Sequence, residues 1–365
     1  MRSAALRRNR DRGRKDGYAQ GWLDGWRLGA CSGIDLGTPT PVPPPREARI
    51  LYVPQGFDAI DEGVIAALRN ETAELRVSPA AEMRAQAELY RPDAVLVMNG
   101  LHVFPPDHLE QIDAIRRAGI PTAIWFVDDP YVTDVTVQVA PHYDYVFTHE
   151  RSCVPLYQSC GCTHVYHLPL ASHPGLFQPM AVPPPYRTDI CFIGMAFWNR
   201  VELFDEIAPY LLDKKVLIGG KLWERMKHYP RLSKFVHDGW IPVPETAKYY
   251  NGAKIVINLH RTTEAGKDNL NGMNWPAESV NPRTFEMSAC GTLQLTDLRQ
   301  ELPEHYEVGS EIAVFRDAND LVRQLEYYLT HEEERLWVAA RGYRRTRRDH
   351  SFEDRIRRLL GTIGL

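Results

Sequence analysis

From Ala48 to about Ala171, short runs of β-branched and aromatic residues alternate with stretches whose apolar positions recur every three to four residues. ARILYVP, DAVLVMN, PTAIWFV, YDYVFTH and HVYHLPL predict strands. DEGVIAALRNE, AAEMRAQAELY and PDHLEQIDAIRRAG predict helices, the last closed by Gly119 ahead of Pro121. Regular alternation of this kind predicts a parallel, doubly wound α/β sheet. Prolines in LFQPMAVPPPYRTD stop both kinds of element and read as a linker. A second series follows, with strands DICFIGM, KVLIGG, AKIVINL, TLQLTD and a short EIAVF. Its helices are VELFDEIAPYLLD, PETAKYYNGA, RTFEMSAC and one long NDLVRQLEYYLTHEEERLWVAARGYRRT. Two Rossmann-like domains are therefore expected. Ligands of such sheets bind beyond the carboxyl ends of the strands, so function should sit in the loops there, in a cleft between the domains.

Ahead of the first strand, Gly17, Gly21, Gly25, Gly29 and Gly33 recur every four residues in GYAQGWLDGWRLGACSG. On a helix they form one stripe, which suits close approach of another backbone, in an oligomer or a partner, with Trp22 and Trp26 flanking the contact. A frayed, exposed tail is the other reading. TPTPVPPPRE then acts as a semi-rigid spacer. The expected division is an extension over 1–45, an acceptor-side domain over 46–178, a nucleotide-binding domain over 186–340, and a terminal helix over 341–365 that crosses back to the first domain.

At 365 residues the chain is long for one α/β domain and natural for two, and 44% hydrophobic against 25% charged residues supplies two cores. A net charge of −4 argues against a nucleic-acid binder working through bulk positive charge, and the basic ends carry no groove-reading motif. No run of about eighteen apolar residues occurs and the basic N-terminus lacks an apolar secretory core, so a cytoplasmic location is expected. The six scattered cysteines read as free thiols. Cys160, Cys162, His164 and His167 lack the spacing of a zinc knuckle, and no metal site is expected.

Candidate chemistry follows the strand ends. After the first strand come Gly56 and Asp58; after the next apolar strand, Asn99, Gly100 and His102, all on the acceptor side. Asp128 and Asp129 follow PTAIWFV and either serve as general base or cap the turn before Pro130. His102 is either an acid-base group or a polar surface residue. In the second half, Gly194 and Arg200 suit phosphate approach, and Lys221 after KVLIGG either repeats that idea or belongs to an ordinary turn. Asn258, His260 and Arg261 open a long polar loop that ends in Glu278, Asn281, Pro282, Arg283, Phe285 and Glu286. Pro282 suits a first helical turn with Asn281 as N-cap, and Glu286 would begin the helix proper. Arg283 and the helix start would neutralise a diphosphate, Glu286 would accept from ribose hydroxyls, and Glu278 from sugar hydroxyls. A capping arrangement with two solvated acids is the alternative.

FIGMAFWNR, INLHR, NPRTFEMSACGTLQLTD, EIAVFRDANDLVRQLEYYLTHEEER and DHSFEDRI, over about residues 188 to 358, resemble the glycosyltransferase domain of the spore maturation protein CgeB and YkvP family. WFVDDP resembles it less specifically. The resemblance implies a GT-B fold, a nucleotide diphosphate sugar as donor substrate without cofactor or metal, and a surface-associated acceptor such as a spore-coat or flagellar protein or a glycan. Arg283 and Glu286 match the family's R-x-x-E, with Phe285 between them. Glu278 matches the first glutamate of E-x7-E, in unusual surroundings. The remaining alternatives are a nucleotide sugar epimerase and a non-catalytic assembly protein that keeps the fold.

Overall fold

The computed structural model describes residues 2–37, 44–264 and 266–365. Most of the proline-rich spacer lies outside the described residues. The first sheet holds β1 (Arg46–Val53), β2 (Thr72–Val77), β3 (Ala94–Met98), β4 (Thr122–Phe126), β5 (Tyr145–Thr148) and β6 (His164–His167) in the order β2-β1-β3-β4-β5-β6. Between them run α2 (Asp58–Glu71), α3 (Met83–Tyr90), α4 (His108–Arg117), α5 (Thr133–Val139) and α6 (Cys153–Ser159), after the N-terminal α1 (Arg2–Gly37). The second sheet holds β7 (Thr188–Ile193), β8 (Val216–Gly220), β9 (Val236–Asp238), β10 (Ala253–Asn258), β11 (Leu293–Asp297) and β12 (Ala313–Phe315), ordered β12-β11-β10-β7-β8-β9. Its helices are α7 (Trp198–Leu211), α8 (Tyr229–Leu232), α9 (Val243–Gly252), α10 (Arg283–Ala289), α11 (Leu302–His305), α12 (Ala318–Thr330), α13 (Glu332–Asp349) and α14 (Phe352–Thr362).

All neighbouring strands are parallel, so both faces of each sheet need helical cover, and β3, β4 and β10 are apolar and buried for that reason. The winding direction reverses between β1 and β3 in one sheet and between β7 and β10 in the other. Those two reversals open the crevices in which a ligand can sit.

The strands β2 and β9 are additions to the sequence reading. Both are edges, and TAELRV and VHD leave most residues exposed or half-buried, so no apolar pattern marks them. The long helix expected after β12 breaks at His331, where the backbone leaves helical geometry and Glu332, Glu333 and Glu334 start α13 at its positive end. Within this chain the described residues bring no other backbone to the glycines of α1: a Cβ on any of Gly17, Gly21, Gly25, Gly29 or Gly33 would find no atom among them within 4 Å. Instead the opposite face docks on the C-terminal domain. Arg27 donates to the Asn251 side chain and to the carbonyls of Cys290 and Met180, and Trp26 meets Trp337 edge-on at 5.0 Å.

At the other end, α14 joins the first domain. Phe352, Ile356, Leu359 and Leu360 share a core with Ile50, Tyr52 and Trp125. Arg355 fixes the helix through the carbonyls of Pro169, Leu170 and Asp349.

Candidate active site at the carboxyl ends of the two sheets

Arg200, in the first turn of α7, is 4% exposed. Its Nε and Nη2 donate to the Leu259 carbonyl at 3.1 and 2.8 Å, and Nη1 donates to the Met195 carbonyl at 2.9 Å. The guanidinium thereby bridges the loops after β7 and β10, across the second reversal. Gly194 leaves it room, since a Cβ there would stand 2.9 Å from Nη1. Arg261 lies 4.4 Å from the Phe197 ring and 4.9 Å from the Tyr131 ring, with its Nε buried and unpartnered. Arg283, half-buried, opens α10.

Among the described residues none of these three arginines has a carboxylate within ion-pairing distance. Nearby arginines do: Arg225 meets Asp268 at 2.8 Å and Arg299 meets Asp297 at 3.5 Å. Burial, then the fields of Arg283 and Arg261, pull Arg200 down to about 9. Like charges held together at one crevice, without anions of their own, favour an anionic ligand.

An amide network holds α10 in place. Asn281 Oδ1 accepts from the Thr284 amide at 3.1 Å, which makes Asn281 the functional cap; the helix begins at Arg283, earlier than Glu286. Asn258 and Thr284 hold the Asn281 side chain, and Gln294 in turn holds both of them. His260 accepts from the Asn281 amide at Nε2 (3.0 Å), so its proton sits on Nδ1, which donates to Asp297 at 2.6 Å. Burial lowers the His260 pKa and keeps the ring neutral; burial would raise Asp297, but His260 and Arg299 outweigh it and hold it at about 2. Glu286 is 8% exposed and accepts no side-chain hydrogen bond among the described residues. Burial pushes it up to about 7 against the pull of Arg283. An acceptor so placed is free for hydroxyl donors.

Three expected donor contacts are corrected. Phe285 points away from the site into a core with Leu302, Tyr306 and Ile312, because at helical spacing it faces opposite to Arg283. Asn258 and His260 are buried and spend their polar atoms on Asn281 and Asp297. Lys221 is exposed beyond β8.

On the acceptor side the aspartates part company. Asp129 is fully buried, accepting from Thr148 (2.6 Å), Tyr157 (2.7 and 2.8 Å) and Thr136 (3.3 Å), so it braces the turn rather than meeting a substrate. Burial raises it to about 6, with Thr148 and Tyr157 opposing. Asp128 faces outward, accepting from Asn99 at 2.7 Å and lying 3.6 Å from His102 Nε2. That contact raises the His102 pKa. Asn99, Gly100 and His102 all take left-handed backbone, which lifts the imidazole out of the strand line. Asp58 is exposed and Gly56 only shapes its loop: Asp61 collects the amides of Gln55, Gly56 and Phe57.

The loop between β10 and α10 is fastened to the first domain. Thr133 donates to Asn271, Trp275 Nε1 to the Ser152 carbonyl, and Tyr131 OH to the Arg261 carbonyl. Glu150, 1% exposed, accepts the amides of Ser152, Glu278 and Ser279. The Glu278 carbonyl accepts from the Glu301 amide at 3.0 Å, so its main chain is gripped from both domains. Its own carboxylate acts on Arg151 at the seam. Tyr131, Glu150 and Glu301 escaped the sequence reading. Only the run of polar residues directly after β5, HERS, could have hinted at Glu150.

Two facing parallel sheets with the crevice of the second lined by arginines make the GT-B fold, and the family makes the protein a glycosyltransferase of that class. The glycosyl transferase-like family model matches residues 200–361. The chain belongs to the family of spore protein CgeB: it is 31% identical over 317 residues to that protein of Bacillus subtilis (strain 168), an alignment covering 84% of this chain and 96% of the relative. Among solved structures, Anabaena HepE in complex with UDP-glucose superposes with a TM-score of 0.60 at 10% identity, over 87% of this chain and 99% of that one. A glycosyltransferase from Rickettsia africae ESF-5 gives 0.57 at 11% identity, over 87% and 97%. These structural likenesses carry the fold. Among the described residues no group of three or more His, Cys, Asp or Glu could hold a metal ion, and no helix is long and apolar enough to cross a membrane.

Proposed function

We propose that the protein transfers a sugar from a nucleotide diphosphate sugar to a hydroxyl of a surface-associated protein or glycan, without a metal. The observation that carries this reading is the set of Arg200, Arg261 and Arg283 at one strand-end crevice, unpaired with any described carboxylate, beside a buried Glu286 free to accept. The arginines would stabilise the negative charge that grows on the diphosphate as the donor's glycosidic bond breaks, the part a divalent cation plays elsewhere. Glu286 would accept from the vicinal hydroxyls of the ribose, a contact that its ionised form makes well. Across the cleft, His102 with Asp128 would take the acceptor's proton. Glu278, held at the seam, would reach the sugar hydroxyls.

Thermal-shift titration with a panel of nucleoside diphosphates and their sugars tests this, with UDP-glucose as first probe because the HepE complex contains it. One nucleotide should raise the melting temperature in a dose-dependent way, and Arg283→Ala and Glu286→Ala should each abolish the shift. Chelator should leave transfer intact. Folded protein that responds to no nucleotide would overturn the reading.

A further inference from the structure

The first half of α1 stands clear of the molecule. At about 1.5 Å per residue the 36-residue helix is about 54 Å long, and Gln20 is the first of its described side chains that is not exposed. The side chains described before that point, Arg7 and residues 10–19, are all exposed. Residues 2–16 hold seven arginines and lysines against two aspartates, a net charge of +5 in a chain whose total is −4, which leaves −9 for the remainder. Helical spacing puts Arg7, Arg14, Tyr18 and Trp22 on one side, opposite the Leu23, Arg27 and Cys31 face that docks on the C-terminal domain. Tyr18 is 78% and Trp22 58% exposed. Among the described residues no atom lies within 4 Å of a Cβ placed on Gly21 or Gly25 beside them, so none of those residues covers that side.

We propose that this outward side of α1 is a docking surface for an anionic lipid membrane. A folded partner that seats a helix in a groove grips a run of apolar anchors, and this side of α1 offers charge and two rings instead. A planar negative surface makes no such demand, and a polybasic helix followed by Tyr and Trp supplies the two chemistries that hold a chain to headgroups. The helix has no continuous apolar face, so it rests on the surface through charge and two rings instead of inserting. The acidic remainder is repelled by the same surface, which leaves the arm as the part that touches it.

Vesicle flotation of the full chain tests this, with phosphatidylcholine alone and with phosphatidylglycerol added. The anionic vesicles should carry at least about tenfold more protein at low salt, and several-fold less of it at high salt. Arg7→Glu with Arg14→Glu should abolish the preference for anionic lipid, and Tyr18→Ser with Trp22→Ser should weaken binding without removing its salt dependence. Neither pair should shift the melting temperature by more than a degree or two, since all four side chains are exposed. Equal binding to both vesicle types, or unchanged binding by the arginine variant, would overturn the proposal. So would a salt-sensitive dimer that ignores vesicles, which gives the arm to a second copy, or capture by single-stranded RNA with vesicles ignored.

Discussion

Arg200 and Arg261 look interchangeable in the sequence, each a cation just past a strand, yet their surroundings demand different things of them. Arg200 satisfies two loop carbonyls, so Arg200→Met should strand them and cost about 2–4 kcal/mol, read by urea denaturation. Arg261 leaves Nε unpartnered, and Arg261→Ala should stay within about 1 kcal/mol of the parent while weakening nucleotide binding about tenfold or more. Glu286 adds a pH dependence. Its pKa rises on folding, so its ionisation opposes the fold as pH climbs from its unfolded value through about 7. Above that range Glu286→Gln should be more stable than the parent by up to about 3 kcal/mol. Donor binding should run the other way, tightening in the parent between pH 6 and 8 as the carboxylate forms and staying flat in Glu286→Gln; calorimetry across that range separates the two. That Arg283 and Glu286 lie side by side at a helix start was legible from spacing, though the helix opens three residues earlier than expected, at Arg283. Which of Asp128 and Asp129 faces the cleft was not, because the turn at Pro130 decides it and neighbouring polar residues do not reveal which is buried.

Elements were legible wherever burial imprints a period. The ten strands with apolar runs stand where the pattern put them, while the edge strands β2 and β9 were silent because little of either is buried. The seam was silent for another reason: its hydrogen bonds run between amides and single carboxylates far apart in sequence. Glu150 is the clearest case, and Glu150→Ala would leave the Ser152, Glu278 and Ser279 amides without their acceptor. A loss of about 2–3 kcal/mol should follow, with faster hydrogen exchange over 275–283. At the contact of α14 with α2, a Cβ on Gly63 would lie 2.3 Å from the Phe352 ring. Gly63→Ala should therefore push α14 outward and lower the melting temperature; an unchanged melt would show that the ring has room to move.

The two ends of the chain cross over. The helix that opens it, α1, rests on the C-terminal domain, and the helix that ends the described chain, α14, completes the core of the first. On a ribosome this order matters. The first sheet emerges early and α2 covers part of its Ile50, Tyr52 and Trp125 face with Val64 and Leu68, but that core stays incomplete until Phe352 and Ile356 leave the exit tunnel, after the whole second domain has been made. The anchoring half of α1 waits as long for Trp337 and Tyr343, which receive Trp26 and Asp35. Neither half completes its core until the other has been made, so the protein should mature in one late step, and nascent chains stalled before Phe352 should be the species that chaperones hold.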